Sequence, residues 1–399
     1  MDLPVPDSVR PLRDRLLQFV EERVYPQEQV LERGMADPEG RAALRALQAE
    51  AKSEGLWAPG HPEHLGGLGL PFMDYVYLNE VLGRSEYAMF VCNTHTLQDS
   101  IMLDLHAGQE WRQKYLQPLV DGEILSPAFG MTEPDVASSD PTQLQTTAVV
   151  EGDEWVINGR KWFTTHAHSA RFTVVMARTE PNAPPHSAFT MIIVPNDAPG
   201  YRIDRVVPVM GETSGDHCEV TYDNLRVPLA NTLGERGHAF TIAQQRLGPG
   251  RIFHCMRFLG QAQRAYDLMC RRAAERTAFG ELLADKQLVQ KMVFDTATEI
   301  SAARQMTLQA ATLLDAGERA RVEIGIAKVY GAHAMHNAID RAIQVYGGAG
   351  LTADLPLERM YRQARFARIY DGPDEVHIQT TARLLLKPYR EAAGTTPAR

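Results

Sequence analysis

A chain of 399 residues is too long for one ordinary core and fits two or three domains. With 44% hydrophobic and 23% charged residues it is not disordered, collagen-like or of low complexity, and no apolar run reaches the ~18 residues of a membrane helix. A net charge of −9 argues against nucleic-acid binding. That charge is uneven: residues 1–250 hold 20 Lys/Arg against 34 Asp/Glu, whereas residues 251–390 hold 20 against 15. A solvated basic face is the default explanation, and contact with a polyanionic small molecule is the sharper one. The acidic start, Met1-Asp2-Leu3-Pro4, reads as neither a secretory nor a transit signal. Cys92, Cys218, Cys255 and Cys270 are widely spaced and read as reduced thiols. Together these predict a cytoplasmic protein.

In chain order, residues 1–125 read as a helical domain. Val9, Leu12, Leu16, Phe19 and Val20 recur at helical spacing, with Tyr25-Pro26 closing the segment. Residues 41–55 repeat the pattern, placing Leu44, Leu47 and Ala51 on one face. Residues 71–82, 87–105 and 109–119 complete the layer, and 61–69 is a Gly-rich connection. Residues 126–235 change period. Runs 147–151 and 155–157 flank the turn signal Gly152-Asp153, and 172–177, 189–194, 201–209 and 217–227 are further short strands. They predict a compact antiparallel β-domain. Residues 236–399 return to long helices with periodic apolar stripes, a four-helix-bundle-like domain. The predicted class is therefore α+β multidomain, in the order α, β, α.

Familiar catalytic motifs are missing: there is no Gly-x-Ser-x-Gly elbow, no His-Glu-x-x-His and no phosphate loop. Gly66-Gly67-Leu68-Gly69 lacks a dinucleotide fingerprint's context and reads as a loop. His166-x-His168 and His333-x-x-His336 have no third ligand nearby and read as ordinary histidines, so no metal is expected.

Five segments remain. Phe129-Gly130-Met131-Thr132-Glu133-Pro134 pairs an aromatic ring with a hydroxyl and turn N–H groups that suit a flat heteroaromatic ligand; alone, it reads as an interdomain turn. Residues 157–165 end in Trp162-Phe163-Thr164-Thr165, either a stacking face with donors or ordinary sheet core. Arg276-Thr277-Ala278-Phe279-Gly280, continuing to Gln287, offers a guanidinium fork for a pyrophosphate, or merely a basic helix end. Gln344-Val345-Tyr346-Gly347-Gly348-Ala349-Gly350 permits close backbone approach, or simply caps a helix. Asp371, in Tyr370-Asp371-Gly372-Pro373-Asp374-Glu375-Val376-His377, is a candidate general base, although sequence physics alone favours a helix N-cap.

In this order, the five segments resemble the acyl-CoA dehydrogenase family over nearly the whole chain. The Asp-Gly-Pro-Asp-Glu-Val-His and Thr-Glu-Pro-Asp-Val-Ala-Ser-Ser-Asp runs are most similar to the branch of family members ten and eleven. The resemblance implies FAD, with Phe129, Met131 and Thr132 lining the flavin and Phe163 and Thr165 facing its N5 side. Arg276, Phe279 and Gln287 match residues that reach a neighbouring subunit's FAD, and Gln344 and Gly348 match the FAD-binding turn. Ser139 takes the CoA-contacting position and Arg251 flanks the acyl thioester, with Gly372 in the substrate-binding turn. Asp371 falls on the catalytic carboxylate, more often Glu in the family.

Three departures stand out. Gly250 occupies the family's second base position, Pro373 replaces a common Thr, and an extra residue before Ser139-Asp140 leaves Ser138 as an alternative CoA contact. The implied reaction is α,β-dehydrogenation of an acyl-CoA to a trans-2-enoyl-CoA, as in fatty-acid β-oxidation. Electron-transfer flavoprotein is the implied acceptor, and the protein is implied to be a homo-oligomer, dimer or dimer of dimers. A flavin oxidase of acyl-CoA or nitroalkane type is a second reading, and a non-catalytic nucleic-acid- or protein-binding relative a third. A helix carrying Tyr87, Met89, Phe90 and Thr94 is the expected floor of the acyl pocket.

Overall fold

The computed structural model describes residues 5–211 and 215–394. Helices occupy the described chain to Val120, strands run from Ala128 to Leu233, and helices resume from Ala239 to Ala392. Two compact units form. One contains the described residues to Leu56, then Leu70–Cys92 and the described residues from Pro249; the other contains Trp57–Gly69 and the described residues between Asn93 and Gly248. Among the described residues no helix is long and apolar enough to cross a membrane.

The first unit is helical. Its Pro38–Ser53 helix starts where the Asp37 side chain accepts from the Glu39 and Gly40 N–H groups, with Pro38 in the first turn. Leu44, Leu47 and Ala51 are buried along its inner face, as their spacing predicts. The Arg10–Phe19 helix does not stop at Tyr25-Pro26. It passes through a π turn (Val20–Val24) and a 3-10 turn (Tyr25–Gln27) into Glu28–Leu31. Pro26 sits at the start of the 3-10 turn, where its missing N–H leaves no hydrogen bond unmade.

The Phe72–Gly83 helix crosses the long Ala239–Glu275 helix at a close approach made by two glycines. A Cβ on Gly83 would lie 2.3 Å from the Arg257 Cα, and one on Gly260 2.1 Å from the Glu80 carbonyl oxygen. Nearby, Arg304 makes a buried two-pronged ion pair with Glu80, 2.6 Å at its shorter contact. The Ala239–Glu275 helix is continuous through Pro249, although a proline inside a helix removes a backbone hydrogen bond. Gln287–Asp315, Arg321–Tyr346, Leu357–Phe366 and Asp374–Ala392 complete this unit.

The predicted 87–105 helix is interrupted. Asn93 adopts a left-handed conformation (φ 58°), so Ala88–Val91 and Leu97–His106 are separate helices joined by Thr94–Thr96. Tyr87, Met89 and Phe90 therefore do not share a helix with Thr94.

The second unit is built on a sheet of eight strands. These are β1 (Ala128–Gly130), β2 (Thr147–Glu151), β3 (Glu154–Thr165), β4 (Phe172–Arg178), β5 (Phe189–Pro195), β6 (Tyr201–Val206), β7 (His217–Pro228) and β8 (Thr232–Leu233). Their order is β6-β7-β3-β2-β4-β5-β8, with β1 beside β4. The sheet is not wholly antiparallel: β1 runs parallel to β4, and β2 touches the end of β4 in parallel. Neither β1 nor β2 reaches β4 through a hairpin, so nothing forces the antiparallel sense.

Alternation explains why β4 and β5 are almost wholly apolar. Phe172, Val174 and Met176, with Phe189, Met191 and Ile193, face a layer containing Leu103, Trp111, Tyr115 and Leu119. Val175, Ala177, Ile192 and Val194 face the opposite way, towards Trp155, Ile157 and Val220. Tyr115 stacks on Phe172 at 4.1 Å between ring centres. By contrast β6 is an edge strand, and Arg202, Asp204 and Arg205 are exposed along it.

Candidate active site

Asp371 lies in the first unit on the turn between the Leu357–Phe366 and Asp374–Ala392 helices. It is not the N-cap of the latter; that position belongs to Pro373, and no side chain caps it. Asp371 and Gly372 both take left-handed conformations, with φ 54° and 100°. For a non-glycine residue this conformation is strained and persists only where neighbours enforce it. Here they do. Lys328 Nζ donates to the Gly372 carbonyl at 2.7 Å, while His377 Nε2 and Arg251 Nε reach the Asp371 carbonyl at 3.1 and 3.4 Å. Just beyond, buried Asp374 accepts from Arg368 Nε at 2.7 Å and His333 Nε2 at 2.9 Å. The Asp371 carboxylate itself meets His254 Nε2 at 2.9 Å, each side chain about one-quarter exposed.

Burial shapes the charges around this turn. It lowers the Lys328 ammonium from its ordinary value despite Asp374, lowers the Arg251 guanidinium despite Asp371, and lowers the His377 imidazole. The Tyr370 hydroxyl is pushed the other way, also by burial. A partly open carboxylate thus stands on a rigid turn beneath donors aimed at that turn's backbone carbonyls. Arg251, Gly372 and Asp371 are brought together at this turn.

Phe129, Met131, Thr132, Phe163, Thr165 and Ser139 belong to the second unit. Phe129 and Gly130 form β1 rather than a turn, because Phe129 registers with Val174 of β4. The Thr132 carbonyl accepts from the Trp162 N–H at 3.0 Å, which sets the Met131-Thr132 run beside the end of β3. That end is bulged between Lys161 and Thr164, and Phe163 is left-handed there (φ 49°) and 39% exposed. The Thr165 hydroxyl lies 2.9 Å from His217 Nδ1. The Ser138 hydroxyl donates to the Glu133 carbonyl and accepts from the Glu133 N–H, whereas the neighbouring Ser139 is exposed.

Arg276, Phe279 and Gln287 are in the first unit. Arg276 follows the end of the Ala239–Glu275 helix, and Thr277–Ala278 pairs with Glu281–Leu282 as a small hairpin. Its tip is Phe279-Gly280, and Phe279 is wholly exposed. Gln287 opens the next helix and is exposed. Gln344 and Gly348 flank the end of the Arg321–Tyr346 helix, where Gly347 (φ 65°) is the C-cap. The Arg272 guanidinium stacks 5.3 Å from the Tyr346 ring centre, which brings the two helix ends together.

Family models match the chain in three consecutive stretches. They are the acyl-CoA dehydrogenase N-terminal domain over residues 6–123, the middle domain over 128–225 and the C-terminal domain over 237–386. The chain belongs to the acyl-CoA dehydrogenase family. Members of this family are flavin oxidoreductases acting on CH–CH bonds, and this chain is one of them. It is 41% identical over 396 residues to "Probable acyl-CoA dehydrogenase FadE2" of Mycobacterium tuberculosis, covering 96% of each chain. It is 40% identical to acyl-CoA dehydrogenase family member 10 of Mus musculus, where 95% of this chain matches 37% of that longer protein. The solved acyl-CoA dehydrogenase of Geobacillus kaustophilus is 28% identical, with a TM-score of 0.83 over 96% of this chain and all of that one.

Acyl-CoA dehydrogenase motifs direct attention to the residues above, but not to those that hold them in place. Lys161 is wholly buried and donates to the Met131 carbonyl at 2.9 Å and to Glu133 Oε1 at 2.8 Å. Glu133 also accepts from the Gln145 and Thr146 N–H groups. The available signal was weak, because Glu133 stands near Thr132 and Asp135, and Lys161 near Asn158 and Arg160. His254, Lys328 and Asp374 carry no such signal, because helical spacing alone does not show which charged residues turn inward.

Proposed function

We propose that this acyl-CoA dehydrogenase family member binds FAD and converts an acyl-CoA to a trans-2-enoyl-CoA, with Asp371 as the base that removes the α-proton. The single observation carrying this reading is the Asp371 carboxylate, partly exposed on a left-handed turn whose carbonyls are held by Arg251, Lys328 and His377. A base must be fixed in direction and reachable by substrate, and this one is both. A backbone N–H of the same turn would polarise the thioester carbonyl, raising the acidity of the α-carbon at the point of proton removal.

The residues present fit a flavin. The exposed Phe163 ring offers a stacking face, and Thr132 and Thr165 offer hydroxyls on adjacent segments; Arg276 and Gln287 would serve the FAD of a neighbouring subunit, and Gln344 offers a further donor. When bound, FAD would accept the hydride from Cβ at N5. Ser139 is the better CoA contact of the two serines, because Ser138 is engaged within its own turn.

A wholly exposed Phe279 favours a homo-oligomer in which this tip enters a neighbouring subunit, and an electron-transfer flavoprotein is the proposed acceptor. In chain order the proposed domains are residues 1–125, 126–235 and 236–399. Anaerobic addition of short-, medium- and long-chain acyl-CoAs to the purified holoenzyme tests the reading. Flavin absorption is expected to bleach with at least one of them, and Asp371→Asn to keep flavin and lose bleaching. Turnover retained in Asp371→Asn would overturn the assignment.

A further inference from the structure

We infer that His254 is a positioning residue for Asp371, acting as a neutral hydrogen-bond donor whose tautomer is set by Arg257; this rests on the reading of Asp371 as the base. His254 Nε2 lies 2.9 Å from Asp371 Oδ2, and Arg257 Nη2 lies 2.8 Å from His254 Nδ1. A guanidinium can only donate, so Nδ1 accepts and the single ring proton sits on Nε2, the nitrogen 2.9 Å from the carboxylate oxygen. A second proton on Nδ1 would face the guanidinium, which keeps the ring neutral.

The three groups follow one another in contact. His254 and Arg257 are three residues apart on one face of the Ala239–Glu275 helix. The Gly83 contact holds the Arg257 backbone, and Arg257 Nη1 reaches Asn79 Oδ1 at 3.4 Å.

Neutrality is the useful property. Arg251, Lys328 and His377 reach the turn's backbone carbonyls, and His254 Nε2 stands against the carboxylate. A cation bonded straight to a carboxylate suppresses its basicity strongly; a neutral N–H fixes its rotation and suppresses basicity less. Rotation matters more for Asp than for Glu, because the shorter side chain has less reach with which to correct a misaimed oxygen.

The test compares His254→Leu and His254→Gln with the unaltered holoenzyme, using the acyl-CoA that bleaches its flavin fastest. Leu removes the donor; Gln places an amide N–H near the Nε2 position. His254→Leu is expected to slow flavin reduction by about 10–100-fold, by analogy with the loss of a residue that orients a metal ligand. Flavin content and the substrate dissociation constant stay near their original values, and the acid limb of the rate profile moves to higher pH. His254→Gln is expected to recover most of the rate.

Imidazole nitrogen chemical shifts supply a readout independent of turnover, and the neutral Nε2–H form is expected at neutral pH. An unchanged rate and acid limb in His254→Leu, a Gln variant no better than Leu, or an imidazolium at neutral pH would each overturn the inference. Asp371→Asn, run in parallel, separates the two ideas. Loss of bleaching there beside an unaffected His254→Leu sinks only the role of His254, whereas retained bleaching sinks both.

Discussion

Lys161 and Glu133 form an ion pair at 2.8 Å with both side chains buried, and the same ammonium holds the Met131 carbonyl. Burial pulls Lys161 down to about 8 against the attraction of Glu133. For Glu133, burial is outweighed by Lys161 and by the Gln145 and Thr146 N–H groups, which hold the carboxyl below its usual range. Both groups are therefore charged at neutral pH. Lys161→Met would leave a buried carboxylate without its cation, at a cost of about 3–5 kcal/mol. Lys161→Met/Glu133→Gln removes the charge as well and is expected to recover part of that loss. Urea unfolding of the two variants checks the order. Flavin content is expected to fall in both, since the Met131-Thr132 run loses its anchor.

Gly372 is required by geometry. Its φ is 100°, and a Cβ there would stand 2.7 Å from His377 Nε2. His377 would have to leave the Asp371 carbonyl, and the turn carrying the base would relax. Gly372→Ala is expected to destabilise the protein by about 1–3 kcal/mol and to abolish most flavin reduction while flavin content persists. Thermal midpoints and anaerobic bleaching on the same preparation measure both effects.

The order of layers was legible because it depends on period. The strands β4 and β5 are apolar runs bounded by turn residues, and Leu44, Leu47 and Ala51 repeat at helical spacing. Local exceptions were not legible. Asn93 breaks a helix whose pattern continues past it, and Pro249 fails to break one, since tertiary packing overrides local preference at both places. Single side chains were legible only where a motif named them. Asp371 and Phe163 stand in recognisable runs, but His254 becomes visible only once a turn distant in sequence is folded against its helix.

Phe279 is fully exposed at the tip of a two-stranded hairpin, beside Gly280. An exposed aromatic in an isolated chain has little to lose by substitution. Phe279→Ser is therefore expected to leave the intrinsic stability of the chain within about 0.5 kcal/mol of its starting value. If the tip serves a neighbouring subunit, the same change lowers the sedimenting mass at dilute concentration and weakens flavin retention. An unchanged mass and flavin content would show that the tip has no partner.

His61 predicts how stability responds to mild acid. Its Nε2 lies 3.0 Å from the Thr96 hydroxyl, which itself donates to the Asn93 carbonyl, so His61 must be the donor and carry its proton on Nε2. The other ring nitrogen, Nδ1, is buried without a hydrogen-bond partner. Burial, with a smaller contribution from His95, lowers the imidazole from 6.5 to about 3. Between those values the unfolded chain binds a proton that the folded chain refuses, so folding weakens as pH falls through this window. Each pH unit below 6.5 then costs about 1.4 kcal/mol. Urea unfolding at pH 7.5 and 5.5 is expected to show this loss in the unaltered protein. His61→Gln keeps a donor for Thr96 and cannot titrate, so its pH dependence is expected to be shallower by about that amount. Carboxylates that titrate in the same range affect both proteins equally, and the difference between the two slopes isolates His61. Parallel slopes would mean that the folded protein accepts the proton at this site.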